Sequence, residues 1–307
     1  MARIQSVAPD LLHSGLDKVI SMATKDVKLV SAQYVSPATS KEYYYKILAA
    51  GGFQVATQLD EAAGINFQDF QVPFRKTTTF QKYAMGWSLS NETEEADYYQ
   101  LMKQRAKDLA MAVEKAYEYD CASFLNLATN SGFTSIDGVS FANVGHPILN
   151  GTFSNILSGS NLGLNPTSLA AAIAQLQIQP EYSGGMPYMN TMTVDLLVPP
   201  ALSDQAHRIV RSSQIALTGN NDDNYVGSQI RNIIVNPLFA AQYGGSDTAW
   251  MIVSTDKENN PMLSIKRGGL STDVWADKDR QVMKHSASRL WRNQPTLGNG
   301  IVYSAGA

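Results

Sequence analysis

A single cysteine, Cys121, stands in the whole chain, so no internal disulfide can form. No stretch approaches the roughly eighteen uncharged apolar residues that a membrane-spanning helix needs. The N-terminal apolar run is interrupted by Asp10, His13, Asp17 and Lys18, which argues against a signal peptide and for a cytosolic chain. Charge is also scarce. Asp, Glu, Lys and Arg make up 17% of the residues, against about 25% in ordinary soluble domains. With 24 basic and 27 acidic groups the net charge is −3, and so little self-repulsion favours association. The 307 residues can bury a sizeable core without covalent staples, as one large domain or two ordinary ones.

Basic residues are missing from the middle third. Between Lys115 and Arg208 there is no Lys or Arg at all. Non-specific nucleic-acid affinity comes mostly from neutralised phosphates, so a protein built to grip them needs a basic stripe, and the sequence shows none here. The nearest approach is residues 257–292, where eight basic and four acidic residues alternate in sign. That pattern reads as a solvated face.

Catalytic signatures are missing too. None of His13, His146, His207 and His285 has a second ligand at a metal-site spacing such as HExxH. No GxSxG elbow or phosphate loop occurs, and Gly298-Asn299-Gly300 lacks the third glycine and following helix of a dinucleotide fingerprint. The polar run Asn220-Asn221-Asp222-Asp223-Asn224 lacks the glycine and distal glutamate of a calcium loop and reads as a plain loop. Cys121 falls within a helical pattern and reads as a small buried side chain. His146 and His207 read as structural. A dispersed hydrolase site would leave no local trace, but the weight falls on a structural protein with no cofactor and no metal.

What the sequence does contain is pattern. Asn91 can cap a helix whose first turns carry Glu92, Glu94, Glu95 and Asp97, the charge the helix dipole favours there. Apolar residues then recur at Met102, Ala106, Leu109, Val113, Ala116, Tyr117, Phe124 and Leu127. The spacing predicts an unbroken strut over residues 92–129, roughly 57 Å long at 1.5 Å per residue. Before it, Phe70, Val72 and Phe74 alternate with polar positions, as do Tyr83, Met85, Trp87 and Leu89. Period two reads as two extended strands. An isolated two-stranded ribbon is marginal in water, so its apolar face needs a cover, either the chain's own core or a neighbouring subunit. Beyond the strut come turn signals at Asp137-Gly138 and Asn150-Gly151, and a helix capped by Asn165 with Pro166 at its first position. Then follow a buried strand at 192–198, a short helix at 201–213 and further strands near 231–235, 249–255, 262–266, 282–291 and 300–304. The class expected is α+β.

Four stretches carry a resemblance. The run from Phe74 through Arg75, Lys76, Lys82, Tyr83 and Trp87 to Glu92 is similar to the strand that enters the spine helix in tailed-bacteriophage major capsid proteins. Asp137-Gly138-Val139-Ser140-Phe141 with Gly145-His146-Pro147, and Leu196-Leu197-Val198-Pro199-Pro200-Ala201-Leu202, resemble the Mu-type major head subunits. Arg289-Leu290-Trp291-Arg292-Asn293-Gln294-Pro295 resembles the last strand of that family. The order and spacing of the four carry the likeness over residues 50–307.

The resemblance implies the Hong-Kong-ninety-seven-type capsid fold, with an N-terminal arm at 1–50, an extended β-hairpin loop at 51–90 and an axial domain at 193–278. The peripheral domain would comprise 91–192, spine helix included, and 279–307. It implies a major capsid protein that assembles as hexamers and pentamers into an icosahedral head around double-stranded DNA, in the virion after assembly in the bacterial host cytoplasm. The partners implied are copies of itself, a portal, a decoration protein and non-specifically held DNA, with no membrane. Many members of that family begin with a long scaffolding segment; because the chain opens at Met1 with a short arm, either a separate scaffolding protein is used or that segment is absent. No catalytic residue is carried over. The candidate inter-subunit residues are Phe70, Phe74, Tyr83, Met85 and Trp87, packing on a neighbour, with Arg75, Lys76 and Lys82 setting the register. An encapsulin-type compartment shell, which shares the fold, is the alternative.

Overall fold

The computed structural model describes residues 22, 28–49, 58–59, 64–65, 67, 72–90, 99–159, 162–182, 193–212, 214, 224–255, 260–277 and 279–306. In chain order the principal elements are β1 (Ser36–Ser40), β2 (Tyr44–Ala49), β3 (Phe74–Thr79), β4 (Gln81–Ser90), α1 (Tyr99–Cys121), α2 (Ser123–Asn126), β5 (His146–Ile148) and β6 (Gly151–Phe153). There follow α3 (Pro166–Gln177), β7 (Val194–Val198), α4 (Ser203–Arg211), α5 (Tyr225–Gln229), β8 (Ile230–Val235), β9 (Trp250–Ser254), β10 (Met262–Asp277), β11 (Val282–Pro295) and β12 (Ile301–Ser304).

Two four-stranded sheets frame the molecule. The first has the order β1-β10-β11-β4, with β1 parallel to β10 and the other pairs antiparallel. The second has the order β12-β9-β7-β8, with β7 and β8 parallel. All five residues of β7 and of β9 are buried. Successive side chains of a strand point to opposite faces, so both faces of this sheet must be covered. Leu196, Val198, Trp250 and Ile252 pack with Leu169, Ile173 and Leu176 of α3 and Ile209 of α4. Leu197, Met251 and Val253 join the other core, with Val113 and Tyr117 of α1 and Phe124 of α2. A strand buried on both faces loses its alternation and reads as a largely apolar run; in β7 the exception is Asp195, buried and paired with Arg231.

Helix α1 lies on one face of the first sheet. Tyr117 donates its hydroxyl proton to Ser264 Oγ at 3.0 Å, Arg289 Nη1 donates to Glu114 Oε1 at 2.6 Å, and Trp291 Nε1 donates to Asp120 Oδ2 at 2.8 Å. The strut ends earlier than the periodicity predicts: regular helix stops at Cys121 rather than near 129, and a turn at Ala122 separates it from α2. The cause is local: Ser123 Oγ donates to the Asp120 carbonyl at 2.6 Å, while the Asp120 carboxylate is drawn to Trp291 and Asn293. The predicted cap at residues 91–98 lies outside the described residues.

The second period-two run lies in β4. Of the first, residues 70–71 lie outside the described residues, Val72 and Pro73 are not in a strand, and β3 instead covers Phe74 and the polar stretch to Thr79. β3 and β4 do not pair with each other. β3 pairs antiparallel with β2, from Tyr44 opposite Thr79 to Ala49 opposite Phe74. β4 pairs instead with β11, from Gln81 opposite Trp291 to Ser90 opposite Val282. The hairpin ribbon is therefore β2–β3, and β4 is an edge strand of the first sheet. Ile47 and Ala49 of the ribbon pack with Ile265 of β10 and Ile136, on the face of the sheet away from α1.

The described part of the arm, from residue 28 on, is integrated as well. Ser31 donates from its backbone N–H and its hydroxyl to the Glu118 carboxylate, and Tyr34 is 1% exposed with its carbonyl accepting from Asn260 Nδ2 at 2.7 Å. Residues 257–292 are less solvated than their mixed signs predict, because Arg289 is tied to Glu114 and Lys266 lies 3.8 Å from the Tyr117 ring centroid.

Candidate assembly surface

Four of the expected contact residues turn out to serve the subunit's own packing. Phe74 meets Tyr182 edge to face at 5.1 Å, inside the cluster with Ile47 and Ile265. Tyr83 stacks on Trp291 with ring centroids 3.9 Å apart, and Trp87 stacks on His285 at 4.4 Å. The cover their strand needs is thus supplied by the chain's own core. Lys76 is held inside the subunit too: Nζ donates to the Thr134 carbonyl at 2.8 Å, to Thr134 Oγ1 at 2.9 Å and to the Ser135 carbonyl. Burial, followed by the charge of Arg292, pushes the Lys76 pKa down. This lysine braces the ribbon against the 134–135 turn. Phe70 lies outside the described residues.

Arg75, Lys82 and Met85 do face solvent, Met85 at 57% exposure in an open groove with Trp87, Arg105, Asp108 and Leu109. The register places Arg75 opposite Leu48, and this outward side of the ribbon is where the exposed apolar surface gathers. Tyr43 is 78% exposed and Leu48 62%, with Tyr44 also open. Arg267 lies over the Tyr43 ring at 4.0 Å and Lys46 over the Tyr44 ring at 5.5 Å. Lys41, Glu42 and Arg75 are exposed as well. The signal was present in the run Lys41-Glu42-Tyr43-Tyr44-Tyr45-Lys46, rich in tyrosine and lysine, but assigning 1–50 to an arm hid it.

Behind the ribbon a polar knot ties three segments together. His146 is fully buried in β5, not in an open turn, and its Nδ1 lies 2.6 Å from Asp137 Oδ2. Its ring stacks on Phe153 and lies under Gly298, where an added Cβ would collide with the imidazole. Asn155 Nδ2 donates to the carbonyls of Phe141 and Gly298. Gly138 at φ +91° makes the turn before the knot. Cys121 is fully buried beside Asn293, and burial pushes its thiol pKa up to about 12. Both groups do structural work. Among the described residues no three His, Cys, Asp or Glu side chains cluster as a metal site, and no helix is long and apolar enough to cross a membrane. Residues 220–223 of the polar run lie outside the described residues; Asn224 caps α5, its Oδ1 accepting from the Gly227 N–H.

Two sheets, a long helix clamped across one of them and a two-stranded ribbon packed on its other face define a class, the Hong-Kong-ninety-seven-type capsid fold. The chain is similar to the capsid of a native GTA particle, with a TM-score of 0.57 at 10% identity over 92% of each chain. It is similar to a virus-like particle from Pyrococcus furiosus, with a TM-score of 0.53 at 10% identity over 94% of this chain and 97% of that one. A structure from Mycobacterium phage Cain gives 0.52 at 8% identity, covering 91% and 90%. No curated protein matches the chain in sequence. The family model described as phage capsid protein matches residues 75–284. The chain belongs to that family: it is a major capsid protein of the icosahedral head, a structural protein and not an enzyme, located in the virion capsid. The family match favours the phage head over the compartment shell that shares the fold, and it leaves no place for a dispersed hydrolase.

Proposed function

We propose that this capsid subunit assembles as hexamers and pentamers through the outward face of the β2–β3 ribbon. The carrying observation is the exposed face formed by Tyr43, Tyr44, Leu48, Lys46 and Arg75 on the outer side of the two-stranded ribbon. Contiguous exposed apolar surface rimmed by charge marks a protein contact. Seated on a neighbour, this face gains burial for Leu48 and the tyrosines, while the cations fix register. Closed shells need contacts weak enough to correct errors, so many small patches serve better than one tight interface. Lys82 and Met85, exposed on β4, form a second contact.

The strand pairings refine the proposed division. β2 belongs with the extended loop, which then starts near residue 43. β10 belongs with the peripheral sheet and β12 with the axial one, so the axial domain comprises about 193–255 and 300–305. A separate scaffolding protein, a portal, a decoration protein, enclosed double-stranded DNA and assembly in the host cytoplasm complete the reading, supported by the family and by the sequence resemblance.

Purified protein, with scaffold supplied if needed, should form closed shells by negative-stain microscopy, and Leu48→Asp with Tyr43→Ser should leave folded, unassembled subunits. A wild-type protein that remains monomeric under all assembly conditions would sink the proposal.

A further inference from the structure

Strand β4 closes one end of the first sheet and β1 the other, and the two edges are built differently. β1 is five residues long and carries Pro37. Shortness and proline are among the devices that keep an edge strand from templating another chain. β4 has neither. It runs ten residues with one charged side chain, Lys82, and its register with β11 is unbroken from Gln81 to Ser90. None of the described strands pairs with its outer edge, and Ala84, Met85, Gly86 and Ser88 are exposed. An open groove lies between β4 and α1, lined by Met85, Gly86 and Trp87 from the strand and by Arg105, Asp108 and Leu109 from the helix. It holds one cation and one anion. Arg105 enters no ion pair among the described residues, and Asp108 Oδ1 accepts from Gln104 Nε2 at a long 3.4 Å.

We propose that β4 pairs edge to edge with β4 of a second copy, antiparallel about a two-fold axis at Met85, so that the first sheet continues across two subunits. The proposal rests on the capsid reading and gives the second contact its partner and its geometry. The choice of a second copy's β4 as occupant has three grounds. An icosahedral shell contains two-fold axes, where one surface patch must complement itself. The groove can do so, because a two-fold turn sets Arg105 of each subunit toward the partner's Asp108 and cancels both charges. The ribbon would instead bring Lys46 and Arg75 to a groove that already holds Arg105. Finally, the pairing keeps the strand's one charge away from its own copy. Opposite residues of an antiparallel pair share a face, so with Met85 at the axis Lys82 falls opposite the partner's Ser88 and Ala84 opposite the partner's Gly86. Met85, 57% exposed in the lone subunit, is then covered by its own copy.

The test is disulfide trapping in the full-length protein. Residues directly opposite in an antiparallel pair have Cα atoms about 4.5 to 5.5 Å apart, within the roughly 4.4 to 6.8 Å that a disulfide spans, and the native Cys121 is buried away from the reaction. Met85→Cys, oxidised in assembled shells, should run as a covalent dimer on a non-reducing gel, with peptide mapping placing the bond between two copies of position 85. Ala84→Cys, whose copies stand out of register, should give at least about tenfold less dimer. Arg105→Glu in the Met85→Cys chain should slow trapping about tenfold, and adding Asp108→Lys should restore the rate, because reversing both members keeps the reciprocal pairs. Oxidation of the ribbon variant Tyr43→Ser, Leu48→Asp carrying Met85→Cys, at high protein concentration, should give dimers and nothing larger, so the two contacts are read separately. Met85→Cys that stays monomeric in both settings overturns the inference. So does a dimer trapped through Ala84→Cys in place of Met85→Cys, or one whose rate the charge reversals leave unchanged. A ribbon variant that still forms shells would overturn the proposed ribbon interface and leave the β4 pairing standing.

Discussion

Tyr83 lies flat on Trp291, ring planes 4° apart and centroids at 3.9 Å, with Tyr117 meeting the same indole edge to face at 5.6 Å. An edge strand, a central strand and the long helix thus meet on one fully buried tryptophan. Burial also pushes the Tyr83 hydroxyl pKa up.

Tyr83→Ala should therefore destabilise the isolated subunit. The aromatic pair is worth about 0.5 to 1.5 kcal/mol beyond area burial, and the cavity adds to that, so a loss of about 2 to 4 kcal/mol is expected. Urea unfolding of the unassembled protein checks it. An unchanged midpoint, with the defect confined to shell formation, would return Tyr83 to the interface.

Gly298→Ala should be costly because its Cβ would meet the His146 ring, which is pinned by Asp137 and by Phe153. Overpacking a fixed core costs about 1 to 3 kcal/mol. Adding His146→Ala removes the obstruction, so the double variant should be more stable than the two single losses sum to. Strict additivity in a double-mutant cycle would contradict the contact.

Asp120 gives a pH dependence with a definite sign. Burial raises its pKa above the usual carboxylate value, partly opposed by the hydrogen bond from Trp291. The folded state therefore favours the protonated acid. The stability this contributes is fully present below the ordinary carboxylate pKa and is lost as pH rises through the raised folded value. Asp120→Asn, which keeps an oxygen acceptor for Trp291 Nε1, should abolish that decline. Wild-type and variant stability curves that stay parallel between about pH 3 and pH 7 would refute the assignment.

Cys121 should resist alkylation. Only the thiolate is a good nucleophile, and a buried thiol with its pKa near 12 presents almost none at neutral pH. Iodoacetamide at pH 8 should label the unfolded chain completely and the folded subunit more than a hundredfold more slowly. Rapid labelling of the native protein would show that the α1–β11 contact opens readily.

Much of the local structure was legible in the residues themselves. Asn165 caps α3 in a reciprocal box with Ser168, with Pro166 at the first position. The all-buried strands β7 and β9 read as largely apolar runs, broken in β7 by Asp195, and Tyr83 and Trp87 share one strand face by alternation. These features depend on neighbours within a turn or on period two. The pairing of β3 with β2, and of β4 with β11 some 200 residues away, was not legible, because period two states that a strand exists but not which edge it meets. The candidate contacts suffered most: an aromatic on an alternating strand looks the same whether its cover is its own helix or a neighbour.

The sequence by itself determined the class of the protein, through sparse charge, the absence of catalytic spacing and the order of four family-like stretches. Tertiary structure decided where each charge goes. Glu114, Glu118 and Asp120 find donors on β11 and at Ser31, contacts that exist only once distant parts of the chain are brought together. Lys76 changes role for the same reason: carbonyls at Thr134 and Ser135 capture it within the subunit, leaving Arg75, one residue earlier and on the opposite strand face, to solvent.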